Sequence, residues 1–177
     1  MKDSDEFSFL KETFKSLGSQ HFDTSGIIIG PGDDAGLVEN SKETIYSVDA
    51  SVSGIHFPKN LSPDLIAYRS VSTAASDIAA CGGSLKWILI SLTMSNKDLS
   101  WMRGFVSGLK NFSDDYSCPV LGGDLSKGAQ ENISVTVCGE LNKGNFLKRG
   151  GAKEEDLIFL TGTLGQAKKG LELIEKN

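Results

Sequence analysis

The chain is poor in cysteine, proline and histidine, and it has no long hydrophobic run. Its 177 residues include 3 Cys, 4 Pro and 2 His. Cys81, Cys118 and Cys138 are widely spaced and odd in number, and no pair has the spacing of a zinc site or a redox motif. This excludes a disulfide framework and reads as reduced, mostly buried thiols in a cytosolic protein. The longest largely apolar run, Trp87 to Leu92, is far too short to span a bilayer, so no membrane partner is expected. The amino terminus, Met1-Lys2-Asp3-Ser4-Asp5-Glu6, is acidic and lacks a hydrophobic signal segment, so the expected location is cytoplasmic. An excess of positive charge is missing too. The 18 Lys and Arg stand against 23 Asp and Glu, a formal net charge of −5, with no basic stripe. A nucleic-acid backbone is therefore excluded as a partner.

Glycine, by contrast, is abundant: 20 residues, about 11% against a usual ~7%. With few prolines the chain is not low-complexity, so the glycines mark specific turns. Hydrophobic residues make up 39%, enough for a core. Residues 5–17 read as a helix with Phe7, Leu10, Phe14 and Leu17 on one face and Gly18 as its stop. Residues 26–34 read as a loop. Residues 36–38 and 44–48 read as two strands, with Asn40-Ser41-Lys42 as a hairpin connection. A long helix over 63–81 has Ser62 at its N-cap, Pro63 in its first turn and Gly82-Gly83 at its end. Then follow a strand over 85–94, an amphipathic helix over 98–112, a short strand 119–121 running into Gly122-Gly123-Asp124, and a strand over 133–138. Residues 150–156 are polar and read as a boundary, followed by a strand over 157–160, a Gly162 to Gly165 turn and the opening of a helix.

Strands both adjacent and helix-separated indicate an α+β (mixed α/β) fold, a mixed sheet flanked by helices. The expected division is 1–147 and 148–177. One strand and one helix cannot close a core alone, so the second piece reads as the start of a truncated domain.

Five constellations carry chemistry. Gly30-Pro31-Gly32-Asp33-Asp34 joins permissive backbone to two carboxylates, hard ligands of the kind Mg²⁺ takes; an acidic turn is the bland alternative. It precedes strand-forming residues rather than a helix, which rejects a dinucleotide-binding reading, and there is no Walker A loop. Asp49 ends Ser47-Val48-Asp49 as a candidate metal ligand, and His56 follows in Gly54-Ile55-His56-Phe57; a structural histidine is the alternative. Asp77 lies among Ala74, Ala75, Ile78, Ala79 and Ala80, where burying a carboxylate is costly unless it is paired or metal-bound. In Gly122-Gly123-Asp124-Leu125-Ser126-Lys127 the glycine amides can cradle phosphate, Asp124 can hold a cation and Lys127 can neutralise an oxyanion. Arg149 can contact phosphate or be a solvated basic residue. An acidic protein can still hold a polyphosphate if its carboxylates assemble divalent cations that bridge to it, and phosphoryl transfer needs mostly positioning and charge neutralisation.

The order of these motifs resembles the thiamine-monophosphate kinases, a family of the aminoimidazole ribonucleotide synthetase-like ATP-binding superfamily. The resemblance rests on Asp5-Glu6-Phe7, Gly32-Asp33-Asp34-Ala35, Ser47-Val48-Asp49, Gly54-Ile55-His56-Phe57, Ser76-Asp77-Ile78-Ala79-Ala80-Cys81-Gly82, Gly122-Gly123-Asp124, Arg149-Gly150-Gly151-Ala152-Lys153 and Thr161-Gly162-Thr163-Leu164-Gly165. It implies the superfamily's amino-terminal fold, a homodimer with a continuous β-structure, and direct in-line phosphorylation of thiamine monophosphate by ATP with Mg²⁺. By position, Asp34, Ser47, Val48, Asp49, Asp77 and Asp124 correspond to metal-site residues. Gly123, Asp124 and Arg149 correspond to ATP contacts, and His56 to the substrate contact. Val48 stands where the family usually has Thr, and Ala74 where it has Asn. The resemblance also implies that a chain of this length has little kinase activity alone. Other superfamily chemistries, an amidine-forming ligase or a hydrogenase maturation factor, are the alternatives, as is a non-catalytic nucleotide-binding dimerisation module.

Overall fold

Strand order, rather than strand content, decides which of these residues meet. The computed structural model describes residues 14, 17–29, 37–39, 42–95, 99–148 and 150–175. The chain divides into two units, Met1–Phe146 and Leu147–Asn177. In the first, β1 (Ile27–Ile29) pairs antiparallel with β2 (Leu37–Val38) as a small separate sheet. A four-stranded sheet has the order β3-β6-β4-β5, from β3 (Glu43–Val52), β4 (Ser84–Met94), β5 (Val120–Lys127) and β6 (Asn132–Leu141). The β3–β6 and β6–β4 pairs are antiparallel and β4–β5 is parallel, so β3, β4 and β5 all run the same way.

Period-two alternation separates the two faces. Ile133, Val135 and Val137 of β6 and Ile88, Ile90, Leu92 and Met94 of β4 are buried in the main core. Helices α1 (Pro63–Ala80) and α2 (Leu99–Tyr116) cover that face with Ile66, Val71, Ile78, Phe105, Leu109 and Phe112. On the opposite face Trp87, Leu121 and Cys138 form a smaller cluster with Ile27. Tyr46 and Val48 of β3 stay 57% and 62% exposed.

The helix boundaries follow their local chemistry. Pro63 occupies the first turn of α1, although the Ser62 hydroxyl makes no capping bond. The helix ends in a Schellman turn: Gly83 N–H bonds the Ile78 carbonyl, Gly82 N–H bonds the Ala79 carbonyl, and Gly82 has φ +77°. The two helices cross closely at Gly108, where a Cβ would penetrate the Asp64 carbonyl. Gly108→Ala is expected to cost about 1–3 kcal/mol, read as a lower urea midpoint.

Several expectations are corrected. Ile27–Ile29 is a strand, not loop, because Ile27 has apolar neighbours to pack against. Residues 37–38 and 44–48 do not form a hairpin: β2 joins β1, while β3 takes the ten-residue ladder that β6 offers. The strand after Pro119 does not stop at Leu121 but runs through Gly122, Gly123 and Asp124 to Lys127. The amphipathic helix continues to Tyr116 and ends at Ser117, whose φ is +52°. Of the expected helix over 5–17, only Phe14 and Leu17 fall among the described residues.

In the second unit, α3 (Gln166–Glu175) forms as expected, but residues 157–160 are not a strand. Leu157, Ile158, Phe159 and Leu160 are 80%, 98%, 85% and 60% exposed. A strand exists only as part of a ladder, and no described strand pairs with this run.

All three cysteines are free thiols, and two are buried. Burial pushes Cys118 up to about 12 and Cys138 up to about 11. A thiol-specific reagent is therefore expected to label Cys81 alone in the folded protein, and all three in urea.

Candidate functional site

Two elements bring the first site residues together. Ser47 and Asp49 lie on the face of β3 that registers with Val137 and Val135, the face beneath α1. Asp77 sits near the end of α1, and the Ser47 hydroxyl donates to its Oδ2 at 2.5 Å. Asp77 is exposed, so its position in an alanine-rich helix does not bury it. Val48 points to the other face, leaving its backbone carbonyl as the only metal donor it could offer.

Asp124 is elsewhere. It registers with Ser91, which registers with Ser134, which registers with Ala50. That row belongs to the face opposite Asp49, at the far edge of the sheet. Three strand spacings separate β3 from β5, roughly 14 Å at ~4.8 Å per strand. Next to it, Gly123 has a structural reason to be glycine: a Cβ there would collide with the Ile90 carbonyl across the parallel pair. Gly122 is under no such constraint.

His56 sits in a tight turn beyond β3 and is exposed. Its Nδ1 accepts the Val52 backbone N–H at 3.0 Å. Sequence reasoning missed the carboxylate beneath this turn, because nothing in Gln130-Glu131-Asn132 marks it. The Ser95 hydroxyl donates to Glu131 Oε1, and Ser53 bonds it as well. The Ser95 bond, above all, holds the Glu131 carboxyl below the usual glutamate range. A lowered value means that Glu131 stabilises the folded chain fully above the ordinary range, and that this contribution is lost as pH falls through the lowered value. Glu131→Gln is thus expected to flatten the acid limb of the stability–pH curve, measured by urea unfolding from neutral to acidic pH. Asp34, with the whole Gly30 to Asp34 motif, and Arg149 lie outside the described residues.

The donor set suits a hard cation: a hydroxyl, carboxylates and a backbone carbonyl. The count does not. Among the described residues no group of three or more His, Cys, Asp or Glu could hold a metal ion. Among the described residues, then, one copy does not make a complete magnesium centre: Asp124 stands at the other edge of the sheet, and Asp34 lies outside them.

A four-stranded mixed sheet under two helices, with a Gly-Gly-Asp segment inside an edge strand, defines an α/β domain that lacks the regular parallel βαβ series of a dinucleotide fold. Residues 32–141 match the AIR synthase related protein, N-terminal domain, and the chain belongs to that family. It is similar to a thiamine-monophosphate kinase of Buchnera aphidicola, 36% identical over 173 residues, covering 97% of this chain and 52% of the relative. A crystal structure of thiamine-monophosphate kinase from Stenotrophomonas maltophilia superposes with a TM-score of 0.82 at 28% identity, covering 90% of this chain and 51% of that one. The structure of AaThiL complexed with AMPPCP and TMP gives a TM-score of 0.72 at 31% identity, covering 98% and 52%. The chain spans about half the length of the curated relatives it matches. No described helix is long and apolar enough to cross a membrane.

Proposed function

We propose that this chain is the amino-terminal, ATP- and Mg²⁺-binding half of a thiamine-monophosphate kinase that works as a homodimer. The observation that carries this reading is its likeness, along 98% of its length, to a protein solved with AMPPCP and TMP. In the reaction a phosphate oxygen of thiamine monophosphate attacks the γ-phosphorus of ATP. The bond from that phosphorus to the β,γ-bridging oxygen breaks, and ADP leaves. Mg²⁺, when bound, supplies charge neutralisation. The residues that would hold it are Asp34, Ser47, Val48 through its carbonyl, Asp49, Asp77 and Asp124. Gly123 and Arg149 face the nucleotide, and His56 faces thiamine monophosphate.

The dimer reading draws support from the sheet. Among the described residues neither β3 nor β5 has a strand on its outer side, and Tyr46 and Val48 leave apolar surface uncovered beside β3. Because β3 and β5 run the same way, a two-fold axis along the strands sets the β5 of one copy beside the β3 of the other. Asp124 of one copy then stands one strand from Asp49 of its partner instead of three, on the other face of the joined sheet.

The test joins this chain to the carboxy-terminal half of the Buchnera relative and measures conversion of thiamine monophosphate with ADP release. Turnover that requires Mg²⁺ and ATP is expected, with little from the 177-residue chain alone. Failure of the fusion to bind AMPPCP by calorimetry would overturn the kinase reading.

A further inference from the structure

The turn that carries His56 finishes an open sheet edge. Ser53 N–H bonds the Glu131 carbonyl at 3.0 Å, continuing the uninterrupted β3–β6 register. In an antiparallel pair, bonded and non-bonded residues alternate. The odd residues of β3 therefore turn their amides toward β6, while Val52 turns both backbone groups outward at the open edge.

Residues 53–57 fold back and satisfy both groups. The Val52 carbonyl accepts from Ile55 N–H at 3.1 Å and His56 N–H at 2.9 Å, and the Val52 N–H goes to His56 Nδ1. Gly54 N–H bonds the Phe57 carbonyl at 2.8 Å, Gly54 has φ +74°, and Phe57 is buried. Beneath the turn, Glu131 gathers Ser53 and Ser95 from two different strand ends.

An Nδ1 that accepts a hydrogen bond carries no proton, so in the neutral ring the proton is on Nε2. Nδ1 has spent its lone pair on the backbone, and Nε2 has none to offer. We propose that His56 acts on its ligand as a hydrogen-bond donor through Nε2–H and never as a base, and that Glu131 is the positioning residue that holds the turn in this state. The atom it meets is an acceptor, the class to which a phosphate-ester oxygen belongs. This rests on the kinase reading only for the identity of the ligand, not for the state of the ring.

The tautomer can be read on the 177-residue chain itself by long-range ¹H–¹⁵N NMR of the imidazoles near neutral pH. The expected spectrum has a pyridine-type Nδ1 and a pyrrole-type Nε2 for His56. An Nδ1-protonated or averaged ring would overturn the proposal. In Glu131→Ala the two nitrogen shifts are expected to move toward averaging, and Glu131→Gln, which keeps an acceptor for the serines, is expected to restore them. A folded Glu131→Ala chain with an unchanged signature would remove Glu131 from the positioning role. Adding thiamine monophosphate to the chain fused to its carboxy-terminal half is expected to shift Nε2 more than Nδ1. The reverse pattern would overturn the donor assignment. No shift with the tautomer intact would count against the kinase reading and leave the ring geometry standing.

Discussion

Two variants that are each inactive, Asp49→Asn and Asp124→Asn, are expected to regain activity when their subunits are combined. Each substitution removes a charged oxygen donor from the proposed centre, and a loss on the order of 10²–10³-fold in turnover is expected from either alone. The register places Asp49 and Asp124 at opposite edges of one sheet and on opposite faces. If each centre takes Asp49 from one copy and Asp124 from the other, a mixed dimer concentrates both defects in one site and leaves its second site intact. Random pairing makes half the dimers mixed, each with one good site of two, so about one quarter of the wild-type turnover should return. The assay is co-expression of differently tagged subunits in the fused protein. Titration with Mn²⁺ followed by electron paramagnetic resonance gives the same answer without turnover, as regained tight binding in the mixed dimer. Activity that stays at the level of the single variants would place each pair within one copy and overturn the shared-site arrangement.

Phe105→Ala is expected to destabilise the chain by about 3–5 kcal/mol. Phe105 is fully buried at the middle of α2, and its ring stacks on Trp101 with centroids 5.3 Å apart and planes 13° from parallel. Its removal leaves a hole between two helices whose backbones already touch at Gly108, so they have little freedom to close it. Total stabilities of ~5–15 kcal/mol make this a large fraction. The melting temperature should fall by roughly 10 °C in calorimetry. Ser107→Ala, on the exposed side of the same helix, should change stability by no more than about 0.5 kcal/mol. Equal effects of the two would mean that α2 does not bury the face assigned to it.

The helices were legible because each carries its own instructions. Pro63 and Gly82 bracket α1, and Phe105, Leu109 and Phe112 repeat at helical spacing along α2. The strands were harder, because a strand is defined by a neighbour that sequence does not name. Gly122-Gly123-Asp124 has the composition of a turn, yet it is strand, and Gly123 is required there by contact with β4 from a distant part of the chain. The run 157–160 is the converse, with strand composition and no described ladder. The same blindness limited the site. Asp77 could be named from its residue type and Ser47 from the resemblance, but the order β3-β6-β4-β5 that parts Asp49 from Asp124 is a property of the fold alone. Glu131 left no signal, since one carboxylate before a strand is ordinary until Ser53 and Ser95 converge on it.

The two unlike outer edges have a further consequence for assembly. A unit that offers β5 at one side and β3 at the other can be added head to tail without limit. Whether two copies suffice depends on how strongly the sheet curls, since a curled pair closes on itself while a flat one keeps an edge free for the next copy. Loss of curl would therefore turn the proposed two-copy ring into a growing fibre, and the finished edge at Val52 leaves only the stretch before it for such growth.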